Sequence, residues 1–193
     1  MARRLPFWLV VAFAAAVLAG PADADSFNDL KRVAPQPAAD ALAPGLAVNY
    51  VVKMARSVDE FESGVTGLPG PPLPALNYQS GAGKVLTSDQ TDGVGALITG
   101  FINFPAAGRW LMATNSNDGV RVRVAGTVVI DDPNVHPDQY SSNAEINISA
   151  PGWYALNVTY FERKGTSTLQ LYWQRPDKTE FEIVPAEAFA HAK

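Results

Sequence analysis

Apolar and polar residues alternate along most of the chain after residue 94, as they do in half-buried β-strands. Valines fill every second position of residues 120–124, with arginines between them. The same alternation runs through residues 143–149, 153–163 and 169–173. Because successive side chains of a strand point to opposite faces, each run buries one face and leaves the other solvated. With turns at short intervals between the runs, the pattern predicts an all-β fold, an antiparallel two-sheet β-sandwich.

The part of the chain before residue 95 is less regular. Residues 46–54 (LAVNYVVKM) predict the first strand, and residues 59–62 predict one short helical turn. Residues 67–74 (GLPGPPLP) carry four prolines and cannot form an interior strand, because proline lacks the N–H that the ladder needs. Residues 57–84 are therefore predicted to be a long loop with little regular structure, of the kind that is usually functional or mobile.

The N-terminus has the features of a secretory signal. Two arginines precede an apolar run over residues 5–18, and Ala22-Asp23-Ala24 supplies a small-residue cleavage site. The run is too short for a committed membrane span, and a retained N-terminal anchor is the alternative. We predict a signal peptide over residues 1–24, an Ala- and Pro-rich linker over 25–44 that is a tether or a loosely docked arm, and one folded domain over 45–193. The protein is then exported, to the periplasm, the cell surface or the medium, and has no membrane span after cleavage.

Composition removes several classes of function. Without residues 1–24 the chain holds 13 Lys and Arg against 18 Asp and Glu, an acidic balance that argues against a nucleic-acid partner. There is no cysteine, so no disulfide holds this exported chain, and a lipoprotein anchor is excluded. A metal site would have to use oxygen or histidine ligands, and oxygen ligands favour a hard cation such as calcium.

The first candidate site is the oxygen-rich segment over residues 115–119 (NSNDG), which we predict to be a loop between two strands. Its carboxylate and amide oxygens suit a cation or a polyol, with Asn115, Asn117 and Asp118 as ligands. The alternative is an ordinary hairpin turn, because Asn, Asp and Gly tolerate unusual backbone angles. The sequence leaves both interpretations open.

The second candidate is the acidic pair Asp131-Asp132, at the end of a short strand. It could help Asn117 and Asp118 hold a cation if the two segments converge, or it could be a solvated strand end. His136 in the next loop is a further candidate for ligand contact. Neighbouring residues on a strand point to opposite faces, so Asp131 and Asp132 do not suit glycoside hydrolysis, which needs two carboxyl groups across one sugar.

Several blocks in fixed order carry a family resemblance, which extends roughly over residues 45–189. The blocks are ITGFINFPAAGRWLMATNSNDGVRVRVAGTVVIDD (98–132), APGWY (150–154), LNVTYFERKG (156–165), LQLYW (169–173) and IVP (183–185). Together they resemble the PA14 domain, a β-sandwich module of adhesins, glycosidases and toxin pro-regions. The resemblance implies that residues 117 and 118 occupy the place of an adjacent acidic pair, joined by a cis peptide, that holds calcium and through it sugar hydroxyls. Here Asn117 stands in place of the first acid, which should weaken calcium binding.

These observations lead to one favoured function and two alternatives. We expect a bacterial, lectin-like module without enzymatic activity that binds a glycan or polyol, with possible assistance from calcium. The first alternative is a structural or protein-interaction module of the cell envelope, which predicts no effect of calcium on stability. The second is a hydrolase, but the PA14-like module fills the predicted mature chain and leaves no room for a catalytic domain.

Overall fold

The computed structural model describes residues 25–62 and 64–193, so the predicted signal peptide lies outside the described residues. The strands are β1 (Asp25–Phe27), β2 (Leu42–Pro44), β3 (Leu46–Val52), β4 (Leu68–Leu73), β5 (Asn77–Ser80), β6 (Val94–Phe104), β7 (Gly108–Asn117), β8 (Val120–Val124), β9 (Thr127–Asp132), β10 (Gln139–Tyr140), β11 (Ala144–Ile148), β12 (Gly152–Glu162), β13 (Ser167–Gln174), β14 (Glu182–Ile183) and β15 (Phe189–Ala192). Short 3-10 turns occupy Ala39–Ala41, Val58–Phe61 and Ala186–Ala188. No helix among the described residues has the length and apolarity that crossing a membrane demands.

The strands form two facing sheets, as predicted. The front sheet has the order β1-β11-β7-β13-β14, with β10 also paired to β7 and β5 to β13. The back sheet has the order β2-β15-β6-β12-β8-β9, with β3 paired to β6 and β4 to β3. Pairing is antiparallel throughout except between β1 and β11. The proline-rich segment does form a strand, β4, and it lies at the edge of the back sheet, where missing N–H donors are tolerated.

The core lies between the sheets and follows the predicted alternation. On β12 the inward residues Tyr154, Leu156, Val158 and Tyr160 are all buried. Aromatic rings fill one end of the core, with centroid distances of 5.1 Å between Phe104 and Trp110 and 4.8 Å between Trp110 and Trp173. Edge-to-face and tilted aromatic pairs at this spacing add to the stabilisation from burial alone.

The segment over residues 25–44 is part of the sandwich and not the linker that we predicted. β1 extends the front sheet and β2 extends the back sheet. Between them Leu30 is buried in the core, and the side chain of Gln36 bonds to the backbone of Trp153 through both its amide nitrogen and its amide oxygen. The sequence predicted a linker because prolines and alanines dominate this segment. The two strand pairings, the burial of Leu30 and the Gln36 hydrogen bonds fix it in place and leave no periodic pattern.

The outer face of the back sheet carries an ion-pair cluster that holds the 3-10 turn Val58–Phe61 in place. Arg121 binds the Asp131 carboxylate through two nitrogens, at 2.8 and 3.1 Å, and reaches Asp59 at 2.9 Å. Arg123 pairs with Glu62 at the end of the turn. The hydrogen bonds that Arg121 donates to Asp131, then to Asp59, raise the pKa of Arg121 above its usual value. These arginines therefore bind acids of their own chain.

Truncating a core leucine tests this packing. Leu171 on β13 is fully buried, whereas Leu68 on β4 is 79% exposed. Leu171→Ala should lower the free energy of unfolding by about 2–5 kcal/mol, because it removes buried methyl groups and leaves a cavity. Leu68→Ala is the matched control and should change it by less than about 0.5 kcal/mol. Denaturant unfolding of both variants measures the difference, and equal effects would contradict the described core.

Candidate functional site

The chain passes from the front sheet to the back sheet at a tight turn formed by Asp118 and Gly119. The loop predicted over residues 115–119 is therefore shorter than expected, since β7 continues to Asn117 through its pairing with β13. The peptide bond between Asn117 and Asp118 is cis, as the resemblance implied. A Cβ at Gly119 would lie 2.6 Å from the Pro133 carbonyl oxygen and 2.7 Å from the Phe161 ring, so only glycine fits there.

The Asp118 carboxylate joins this turn to the loops on either side of it. Its Oδ1 accepts the backbone N–H of His136 at 3.2 Å, and its Oδ2 accepts that of Arg163 at 2.7 Å. The turn also pairs with Phe161 through two backbone hydrogen bonds of 3.1 Å. Asp118 is only 4% exposed. Its first role in this structure is thus to position the loops over residues 133–138 and 163–166.

The two asparagines before Asp118 lie on β7 and are also engaged. The Asn117 amide nitrogen donates to Thr166 Oγ1 at 2.9 Å, and its backbone carbonyl accepts the Tyr160 hydroxyl at 2.5 Å. The Asn115 amide nitrogen donates to Gln170 Oε1 at 3.1 Å. Both side chains are largely buried, so they act here as parts of a hydrogen-bond network.

The predicted acidic pair divides as the strand alternation requires. Asp131 faces outward to Arg121, while Asp132 accepts from Gln139 Nε2 at 3.0 Å. Asp132 Oδ2 lies 3.3 Å from His136 Nε2, and His136 Nδ1 donates to the Pro137 carbonyl at 2.8 Å. Asp118 and Asp132 therefore converge on His136, one on its backbone and one on its ring.

The predicted calcium ligands are engaged with other groups of the chain in this structure. Calcium takes six to eight oxygen ligands, with carboxylates among them. Both oxygens of Asp118 already accept backbone N–H groups, and Asp131 is held by Arg121. In the part of the chain that the structure describes, no three His, Cys, Asp or Glu side chains are grouped so as to hold a metal.

A polar cleft of about 410 Å³ opens beside Asp132, and we call it the acidic cleft. It lies between β9 of the back sheet and β1 of the front sheet, with the segment after β10 along one side. Polar residues make up much of its lining: Asp25, Asp131, Asp132, Gln139, Ser141, Ser142 and Asn143. Its volume lies in the range of small-ligand sites, and its lining is more polar than is usual for them. The sequence identified Asp131 and Asp132, but Asp25 and Gln139 come from strands that only the tertiary fold brings here.

Glu162, which was not a predicted site residue, is fully buried at the end of β12, and neither carboxylate oxygen has a hydrogen-bond partner. Burial, followed by the charges of Asp92 and Asp118, raises the pKa of Glu162 to about 7. The sequence carried a signal for it, because Glu162 continues the inward phase of Tyr154 to Tyr160. A buried, unpartnered carboxyl group costs stability whenever it is ionised.

Replacing Glu162 should change how stability depends on pH. The folded-state pKa of about 7 lies above the ordinary value of 4.5, so the folded state binds the proton more tightly. Stability from this group is therefore complete below pH 4.5 and is lost as the pH rises through 7. Glu162→Gln should match the wild type at pH 5 and be more stable by about 1–3 kcal/mol at pH 8.

Denaturant unfolding between pH 5 and pH 8 measures this difference. Glu180→Gln, at an exposed position, is the matched control and should keep the wild-type pH dependence. If the free energy of unfolding changes equally with pH in Glu162→Gln and in the wild type over this range, Glu162 does not titrate as described.

Comparison with solved structures places the fold among known β-sandwich domains. The PA14 sugar-binding domain from an RTX adhesin matches with a TM-score of 0.61 at 16% identity, over 78% of this chain and 99% of that one. The Epithelial Adhesin 9 A domain from Candida glabrata, in complex with Galβ1-4GlcNAc, matches with a TM-score of 0.63 at 9% identity, over 82% and 94%. An anti-sigma factor domain-containing protein from Clostridium clariflavum matches with a TM-score of 0.62 at 18% identity, over 78% of this chain. The chain spans about half of that structure's length, 48%.

The sequence itself identifies the family. A comparison with curated proteins found no match. A sequence profile of the PA14 domain matches residues 78–187, which is more than half of the chain and includes the turn at Asp118 and the acidic cleft's β9 and β10. The chain belongs to the PA14 domain family.

Proposed function

We propose that this protein is an exported carbohydrate-binding module without enzymatic activity, and that it binds its glycan in the acidic cleft. The observation that carries the proposal is the set of acidic and amide residues that line this cleft together. Sugar hydroxyls donate readily to carboxylates, and hydrogen bonds to charged groups are the stronger kind. The adhesin neighbours, one a sugar-binding domain and one in complex with a disaccharide, support the same class of ligand.

The carboxylates of the cleft support binding more than catalysis. Glycoside hydrolysis requires two carboxyl groups that flank the scissile bond, one of them free to transfer a proton. Asp131 is bound by two nitrogens of Arg121 and is not free for that role. Asp132 accepts from Gln139 Nε2, and Asp25 is the other carboxylate residue that lines the cleft. Export rests on the signal-like residues 1–24, and the bacterial cell surface or periplasm is the proposed location.

Removing the charge of Asp132 tests the cleft. Asp132→Asn should weaken glycan binding at least about tenfold, since a hydrogen bond to a charged group contributes about 1.5–3 kcal/mol. The measurement is a glycan array, followed by titration calorimetry on the strongest binder. Asp40→Asn, at an exposed position, is the matched control and should bind as wild type does. Unchanged binding by Asp132→Asn would exclude the cleft, and no glycan binding by the wild type would favour the protein-interaction alternative.

Calcium assistance is a separate proposal with its own test. If calcium binds the folded state, the ion at 100 times its Kd should stabilise the protein by about 2.7 kcal/mol, which raises the Tm. Asp118→Ala should abolish that rise, and it should also lower the Tm in chelator because two backbone N–H groups lose their acceptor. Thermal unfolding in calcium, in magnesium and in chelator separates the two effects. If calcium leaves the Tm of the wild type unchanged, the proposal is contradicted.

A further inference from the structure

A second concavity, of about 350 Å³, adjoins the acidic cleft on the outer face of the front sheet. It is lined by Ala113, Tyr140, Asn143, Tyr172 and Phe181, and we call it the tyrosine platform. Tyr140 and Asn143 also line the acidic cleft, so the two concavities share a wall. Any extended ligand in one of them would pass directly into the other.

Strand register explains why the platform forms at this place. Tyr140 on β10 pairs with Asn115 on β7, and Tyr172 on β13 pairs with Ala113, so all four share the outer face. Ala113 has the smallest side chain of the group, and it also lines the concavity. Those rings lie 5.7 Å apart with an angle of 58° between their planes.

A polar network on the same face of the sheet holds Tyr172 in place, and it includes Asn115, one of the predicted ligand residues. The Tyr172 hydroxyl donates to Gln170 Oε1 at 3.1 Å, the same oxygen that accepts from Asn115. Gln170 Nε2 in turn donates to Asn77 Oδ1 at 2.8 Å. This network orients the Tyr172 ring before any ligand arrives. Asn115 is therefore a positioning residue for the platform.

The chemistry of the platform selects the ligand class. Tyr140 is 66% exposed and Phe181 is 37% exposed, so aromatic surface faces solvent. The five lining side chains carry no charge, which gives a cation no counter-charge within the platform. A pyranose ring offers an apolar C–H face to an aromatic ring and hydroxyl groups at its edge. A chain of such rings meets both the flat aromatic surface and the polar cleft beside it.

We infer that the tyrosine platform is a second sugar subsite, which stacks one pyranose ring of an oligosaccharide whose neighbouring ring lies in the acidic cleft. This inference rests on the proposed function and adds the length of the ligand: at least a disaccharide. It predicts a preference for disaccharides and longer glycans over single sugars.

An array of mono-, di- and trisaccharides of galactose, glucose, mannose and N-acetylglucosamine tests the inference. Wild type should bind its preferred disaccharide about 3- to 10-fold more tightly than either component monosaccharide, the range expected for one added aromatic contact. Tyr172→Ala should remove this preference and keep monosaccharide binding. Tyr172→Phe keeps the ring, so it should keep the preference, and the retained monosaccharide binding of Tyr172→Ala shows that this variant is folded.

The outcomes separate the two proposals. A disaccharide preference that survives in Tyr172→Ala, with binding lost in Asp132→Asn, overturns the platform and leaves the cleft in place. If Tyr172→Ala loses binding and Asp132→Asn keeps it, both the proposed glycan site in the acidic cleft and its extension onto the tyrosine platform are overturned. Tetramethylammonium is the probe for an aromatic cation site, and NMR shifts of the Tyr172 ring with this ion but with no sugar on the array would overturn the sugar subsite.

Discussion

The Asp118 carboxylate fixes the loops from which the candidate site is built. It accepts one backbone N–H from the loop before β10 and one from the loop before β13, at the point where the chain changes sheets. Charged acceptors make the stronger hydrogen bonds, and their loss in a buried place leaves unpaired N–H groups. Since Tyr140 follows His136 by four residues, the position of the acidic cleft and of the tyrosine platform depends on this carboxylate.

The acids of this protein serve distinct purposes according to what they face. Asp131 and Glu62 are neutralised by arginines on the outer back sheet, where the ion pairs hold the turn Val58–Phe61. Glu162 lies inside without a partner and destabilises the fold when ionised. Asp25 and Asp132 face the acidic cleft. A cleft with this charge would repel an anionic ligand, which favours a neutral polyol that donates hydrogen bonds.

The sequence predicted the fold well because one-face burial leaves a period-two pattern, as on β8, β11, β12 and β13. The sequence predicted a loop from residue 115, but Asn115 and Asn117 lie in β7. They stay in the strand because Gln170 and Thr168 of β13 pair with them, and such pairing leaves no mark in the local pattern. The site was predicted only in part. Asp132 was identified and faces the cleft, but Asp25, Gln139 and Phe181 meet it or the platform through long-range contacts that leave no local signature.

The position of the acidic cleft also follows from a constraint on open sandwiches. β1 and β9 are the outermost strands of their sheets, and an exposed edge strand can pair with another chain. β9 carries two aspartates, and charged side chains on an edge strand disfavour such pairing. Asp132 on this edge lines the acidic cleft, where we propose that the glycan binds. The proposed glycan site would therefore use the kind of charged side chain that an exposed sheet edge already favours.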